Sequence, residues 1–136
     1  MPAYSLTPLP QKLGLTPGHR ARLLDAPAHF LNLLGDVAGQ VLFLDEGSDL
    51  DYVHLFVNEI ECLENQLSQL RSRIKPNGMI WVSWYKKSAK LPTELTEVRI
   101  RETALALGLV DVKVCAVDEQ WSGLKLVIRL KDREKP

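Results

Sequence analysis

Three lysines, Lys86, Lys87 and Lys90, share one short polar stretch with the hydroxyls of Ser88 and Thr93. The stretch follows an apolar run and precedes a helical pattern, so its cations gather where a strand ends and a helix begins. Backbone N–H groups and the helix dipole favour an anion at such a place, and a phosphate or carboxylate is the ligand this loop suits. The plainer alternative is a solvated lysine loop that keeps an edge region from aggregating. Asp45 or Glu46 ends the second apolar run, where a carboxylate can accept hydrogen bonds from a ribose. Together with Asp49 and Asp51 they form an acidic cluster whose spacing departs from the calcium-loop pattern, and loop solvation accounts for it. His29 stands at the carboxyl end of the first strand, with no cysteine or activated serine near it in sequence to make a nucleophile pair. His54 lies inside an apolar run and reads as a hydrogen-bonded core imidazole rather than a base. Trp121, beside Asp118 and Glu119 at the end of the fifth strand, either caps the closing hairpin or stacks on a ligand.

Composition narrows the classes these residues could serve. The 136-residue chain is the size of one domain and carries 17 basic and 17 acidic residues. No overall field therefore holds it against nucleic acid or an anionic membrane, and any such contact must be local. The aromatics Trp81, Trp84 and Tyr85 are strand residues, at least two of them expected in the core, which argues further against a nucleic-acid surface. Cys62 and Cys115 lack partners at metal spacing and are expected as small buried hydrophobes. Met1-Pro2-Ala3-Tyr4-Ser5 lacks a basic region followed by an apolar run, and no apolar stretch approaches the ~20 residues that cross a bilayer. A cytoplasmic location is expected.

The elements that must position these groups can be read in order. Thr7 followed by Pro8 has the form of an N-cap and first helical residue, and Gly14 ends that short helix. Residues 20–25 read as a first strand, broken at Ala26-Pro27, and Phe30, Leu33 and Leu34 stripe a helix that runs to Gly35. Val41-Leu42-Phe43-Leu44 and Tyr52-Val53-His54-Leu55-Phe56-Val57 are unbroken apolar runs that suit strands buried on both faces. Ile60, Leu63, Leu67, Leu70 and Ile74 recur at helical spacing until Pro76-Asn77-Gly78, with acids at the start and Arg71, Arg73 and Lys75 at the end to complement the dipole. Residues 79–84 form a fourth strand. Thr96 is the expected N-cap of the last helix, with Leu95 and Ile100 as its staple and Gly108 as its stop. Only six residues, 118–123, separate the last two strands, too few for a parallel crossover, so the pair is antiparallel. The alternation of Leu124, Leu126, Ile128 and Leu130 with Lys125, Val127 and Arg129 marks an outer strand with one wetter face, and residues 132–136 are a charged tail.

Six strands in this order, with helices after the first, third and fourth and an antiparallel close, resemble a shortened class I methyltransferase core. Pro76-Asn77-Gly78-Met79-Ile80-Trp81-Val82 matches that family's turn into an apolar strand. At closer range the chain resembles a small uncharacterised bacterial family, domain of unknown function 3052, over residues 7–14, 53–57, 81–88, 95–97 and 110–125. Val53-His54-Leu55-Phe56-Val57, Trp81-Val82-Ser83-Trp84 and Asp118-Glu119-Gln120-Trp121-Ser122-Gly123 are among the matching pieces. The smaller family brings no established activity.

The fold expected is a single three-layer α/β/α Rossmann-like domain, its first strand central, its second outside, and the third, fourth and closing hairpin on the other side. The methyltransferase resemblance implies adenosylmethionine (SAM) as cofactor. Against it, the turn after the first strand is Asp25-Ala26-Pro27-Ala28-His29, with no glycine to let the backbone approach a cofactor. The reading is therefore a non-catalytic domain that binds a small anionic ligand at the strand carboxyl ends, between the 25–29 turn and the 86–90 loop. The alternatives are a divergent SAM-dependent small-molecule methyltransferase, and an interaction module that pairs through an apolar face beside Trp121 and the outer strand.

Overall fold

The computed structural model describes residues 7–133; the reading of residues 1–5 and the end of the charged tail, 134–136, lie outside the described residues. Six strands form one sheet: β1 (Arg20–Leu24), β2 (Leu42–Phe43), β3 (Leu50–Phe56), β4 (Ile74–Tyr85), β5 (Leu109–Ala116) and β6 (Trp121–Ile128), in the order β2-β1-β3-β4-β6-β5. β2, β1, β3 and β4 are mutually parallel, while β6 lies antiparallel to both β4 and β5. The sheet is thus mostly parallel and closed by an antiparallel hairpin, as the short return between the last two strands requires. The chain leaves β1 for one edge and then comes back to its other side, so strand order reverses between β1 and β3.

Helices cover both faces. α3 (Ile60–Leu70) and α4 (Glu97–Ala106) bury Leu63, Leu67, Leu70, Ile100 and Ala104 against Val53, Leu55, Ile80, Val82, Leu124 and Leu126. Each fully buried leucine of that stripe stabilises the fold by roughly 1.5–3 kcal/mol. On the opposite face α1 (Leu9–Leu13) and α2 (Phe30–Leu34) set Leu13, Phe30 and Leu34 against Tyr52, Phe56, Trp81 and Trp121. Trp81 Nε1 donates to the carbonyl of Leu13 at 2.8 Å, tying α1 to the sheet. The last helix begins as its sequence demands, with Thr96 Oγ1 accepting from the Arg99 N–H at 3.2 Å.

The structure departs from several local expectations. α3 ends at Leu70, and Ile74 is the first residue of β4 rather than the last of the helical stripe. Ile74 pairs with Leu50 and Met79 with Tyr52, so Pro76, Asn77 and Gly78 lie in an irregular stretch of the strand. Gly78 is required there because a Cβ would stand 2.7 Å from the Leu50 carbonyl oxygen. Arg73 and Lys75 therefore lie beyond α3, and Lys75 instead pairs with Asp51 at 2.9 Å. The second apolar run yields only the two-residue β2, and Leu42 is 52% exposed at this edge of the sheet, where no strand lies beyond it among the described residues. β6 is an inner strand and β5 the edge, with Val112 53% and Val114 49% exposed. The alternation along β6 records one helix-covered face, not an outer position. α1 is capped by Pro8 rather than Thr7, Leu33 is exposed, and Cys62 and Cys115 are only partly buried.

Candidate functional site

β5 runs in the same direction as β4, since both are antiparallel to β6, so the 117–120 return reaches the same end of the sheet as the loops after β1 and β3. These segments are joined there. His29, at the start of α2, places Nε2 2.7 Å from Asp118 Oδ2. Asp118 Oδ1 accepts from the N–H groups of Gln120 and Trp121 at 2.8 and 2.9 Å, which fixes the carboxylate. Burial raises the Asp118 carboxyl, but the hydrogen bonds from His29, Gln120 and Trp121 outweigh it and hold the group below its ordinary value. A carboxylate only accepts, so Nε2 carries the proton of this contact. The His29 side chain is 48% exposed and, with Leu33, Asp118, Glu119 and Gln120, lines a cavity of about 400 Å³.

The same return also holds the lysine loop. Lys86 N donates to the Gln120 carbonyl at 2.8 Å, and Tyr85 N to Asn58 Oδ1 at 2.9 Å. The return thus lies between the 25–29 turn and the 86–90 loop, where a ligand was expected to sit. Trp121 is buried beneath it, its ring 5.1 Å from Phe56 and 4.5 Å from Tyr85, and caps the hairpin core. Lys86, Lys87 and Thr93 line a cavity of about 460 Å³ on the other side of the loop, with Tyr85, Thr96 and Ser122. Ser88 and Lys90 do not line it; both are exposed. The Thr96 and Ser122 contributions were not read from the sequence, where one served as a helix cap and the other as a hairpin residue.

Asp45 and Glu46 are exposed just beyond β2, with β1 and β3 between that strand and β4, which the lysine loop follows, so the two candidate groups are not brought together. Asp51 belongs to the opposite end, where it accepts from Arg20 N at 2.9 Å. A third cavity, of about 360 Å³, is lined by Glu59, Glu61, Glu94 and Cys62. Burial, aided by Asp25 and Glu59, raises the Cys62 thiol, which makes it a poor nucleophile. The carboxyl end is therefore acidic around β3 and basic around β4.

His54 is a core residue. Its Nδ1 lies 2.7 Å from the Tyr52 hydroxyl, its Nε2 lies 2.7 Å from Ser83 Oγ, and its ring stacks on Phe56 at 4.3 Å. Burial lowers the imidazole to about 3, so it stays neutral at ordinary pH.

The cofactor implied by a methyltransferase core is adenosylmethionine, and the two ends of β1 and β2 answer differently to it. Asp45 and Glu46 suit ribose hydroxyls. The 25–29 turn does not fit a glycine cradle: Ala26 and Pro27 carry partly buried side chains, Pro27 has no N–H, and its carbonyl accepts from Phe30 N at 2.9 Å. Asp25 takes φ 57°, the left-handed conformation that glycine would adopt without cost. No step of methyl transfer follows from this turn.

Sheet order and two-sided helix packing define a methyltransferase-like Rossmann fold. Solved structures of that class superpose on most of the chain. A SAM-dependent methyltransferase from Aquifex aeolicus aligns with TM-score 0.63 and 14% identity over 88% of this chain and 87% of its own. Magnesium protoporphyrin IX methyltransferase from Synechocystis, with bound SAM, gives 0.61 and 12% over 89% and 74%. A TehB-like SAM-dependent methyltransferase from Corynebacterium glutamicum gives 0.56 and 8% over 93% and 90%. No family model and no curated protein matches the chain, so its likeness to domain of unknown function 3052 rests on the sequence motifs alone.

Proposed function

We propose that the chain is a small-molecule-binding domain of the methyltransferase type, with its ligand at the carboxyl ends of β1 and β3. The catalytic form of this reading, a divergent SAM-dependent methyltransferase of small molecules, has the support of the comparisons over the non-catalytic role read from the sequence. The observation that carries it is the shared strand order, which superposes on most of the chain in structures described as SAM-dependent or SAM-bound. In open α/β sheets the ligand crevice lies where strand order reverses, here between β1 and β3. Asp25, Asp45 and Glu46 are exposed on that side and free of ion pairs among the described residues, as ribose or ammonium contacts would require.

A second reading, a non-catalytic domain that has lost the cofactor, is supported by the side chains at Ala26, Pro27 and Ala28. Isothermal titration with adenosylmethionine separates the two. Saturable binding that weakens in an Asp45→Ala, Glu46→Ala variant supports the catalytic form. Absence of heat at millimolar ligand sinks it and leaves the non-catalytic domain.

A further inference from the structure

The lysine cavity is separate from the crevice between β1 and β3, because β4 and the 117–120 return stand between them. Its volume of about 460 Å³ falls within the range of sites for compact organic ligands. Its charge is positive and unspent. Among the described residues no carboxylate comes within ion-pair distance of Lys86 or Lys87, whereas Lys75, Arg101 and Arg129 are all paired. Glu97 also lines the cavity, but its carboxylate is bonded to Arg101.

The remaining polar groups are donors in waiting. Thr93 Oγ1 accepts from Leu95 N and Thr96 Oγ1 from Arg99 N, each at 3.2 Å, so each hydroxyl keeps its own proton to give. Ser122 adds a third hydroxyl from β6. Buried Trp84 and Leu95 and partly buried Tyr85 supply apolar wall. Two ammonium groups and three hydroxyls suit a dianion bound at several oxygens, and the aromatic wall suits a ring attached to it.

We propose that this cavity binds a small phosphomonoester with a ring body, its phosphate between Lys86 and Lys87 and the hydroxyls of Thr93 and Thr96. The site is independent of whether the domain binds adenosylmethionine. It also lies beyond the place foreseen from the sequence, on the α4 side of the loop rather than toward the 25–29 turn.

The test is calorimetric titration of the full chain, at constant ionic strength, with inorganic phosphate, ribose 5-phosphate and adenosine monophosphate, and with ribose and adenosine as uncharged controls. Wild type should bind the phosphomonoesters saturably and more tightly than inorganic phosphate, and the uncharged compounds not at all. The Lys86→Ala, Lys87→Ala variant should lose about tenfold or more in affinity, and Thr93→Val should lose a smaller factor. The double-lysine variant should melt within about 2 °C of wild type without ligand, since neither lysine makes an ion pair among the described residues. Lys131→Ala, on an exposed residue elsewhere, should bind as wild type does. Adenosylmethionine should leave phosphomonoester affinity unchanged, so its own failure to bind leaves this result standing. No saturable binding by wild type, or equal binding by the double-lysine variant, overturns the proposal. Loss of phosphomonoester binding on adding adenosylmethionine refutes a separate site.

Discussion

His29 Nε2 and Asp118 Oδ2 meet at 2.7 Å although 89 positions separate them in the chain. Their contact carries the turn after β1 over to the return of the closing hairpin, past the ends of β3 and β4. Both residues line the cavity of about 400 Å³ at that end. His29 is half-exposed and Asp118 mostly buried, so the contact's net worth is that of a partly exposed hydrogen bond to a carboxylate, about 0.5–1.5 kcal/mol.

Asp118→Asn should therefore destabilise the domain by about 1 kcal/mol near neutral pH. A carboxyl held below its ordinary value of 3.8 in the fold contributes fully above that pH and loses its contribution as pH falls through and below it. Thermal melts of wild type and variant should differ near neutrality and converge toward the acid limb. A gap that stays constant into strong acid contradicts the assignment.

His54 titrates with the opposite origin and the same slope. Its folded value of about 3 lies below the ordinary 6.5, so below pH 6.5 the unfolded chain takes up a proton that the fold refuses. Stability from this residue is complete above pH 6.5 and declines as pH falls toward about 3. His54→Leu should cost about 2–4 kcal/mol at neutral pH by leaving the hydroxyls of Tyr52 and Ser83 without their imidazole partner. It should also flatten the dependence of stability on pH between 6.5 and about 3, read by denaturant titration at each pH.

Gly78→Ala should cost about 1–3 kcal/mol, because the new Cβ meets the Leu50 carbonyl oxygen at 2.7 Å and backbone must move. Gly39→Ala, where nothing lies within 4 Å, should change stability by less than about 0.5 kcal/mol. Urea midpoints with unchanged slopes would check both.

The antiparallel close was legible because so short a return permits only a hairpin, whereas which of its two strands lies against β4 was not. Thr96 was legible as a cap because its side chain acts three residues away. Ile74 was not, since a residue four positions after Leu70 fits a helical stripe as well as it opens a strand, and only pairing with Leu50 decides. Alternation along β6 reports which face is covered and says nothing of which strands flank it. The His29 to Asp118 contact and the division of the carboxyl end into acidic and basic sides are tertiary facts with no local pattern. The lysines are legible in the sequence, but their cavity also takes Ser122 from β6 and Leu95, Thr96 and Glu97 from around the start of α4, which only the fold brings beside them.

The most direct test of a ligand crevice at the reversal of strand order is amide chemical-shift mapping of the full chain with adenosylmethionine. Saturable shifts are expected in residues 25–29, 44–46 and 57–59, with the lysine cavity unaffected. Unchanged spectra at millimolar ligand, or shifts confined to residues 86–97, would contradict such a crevice.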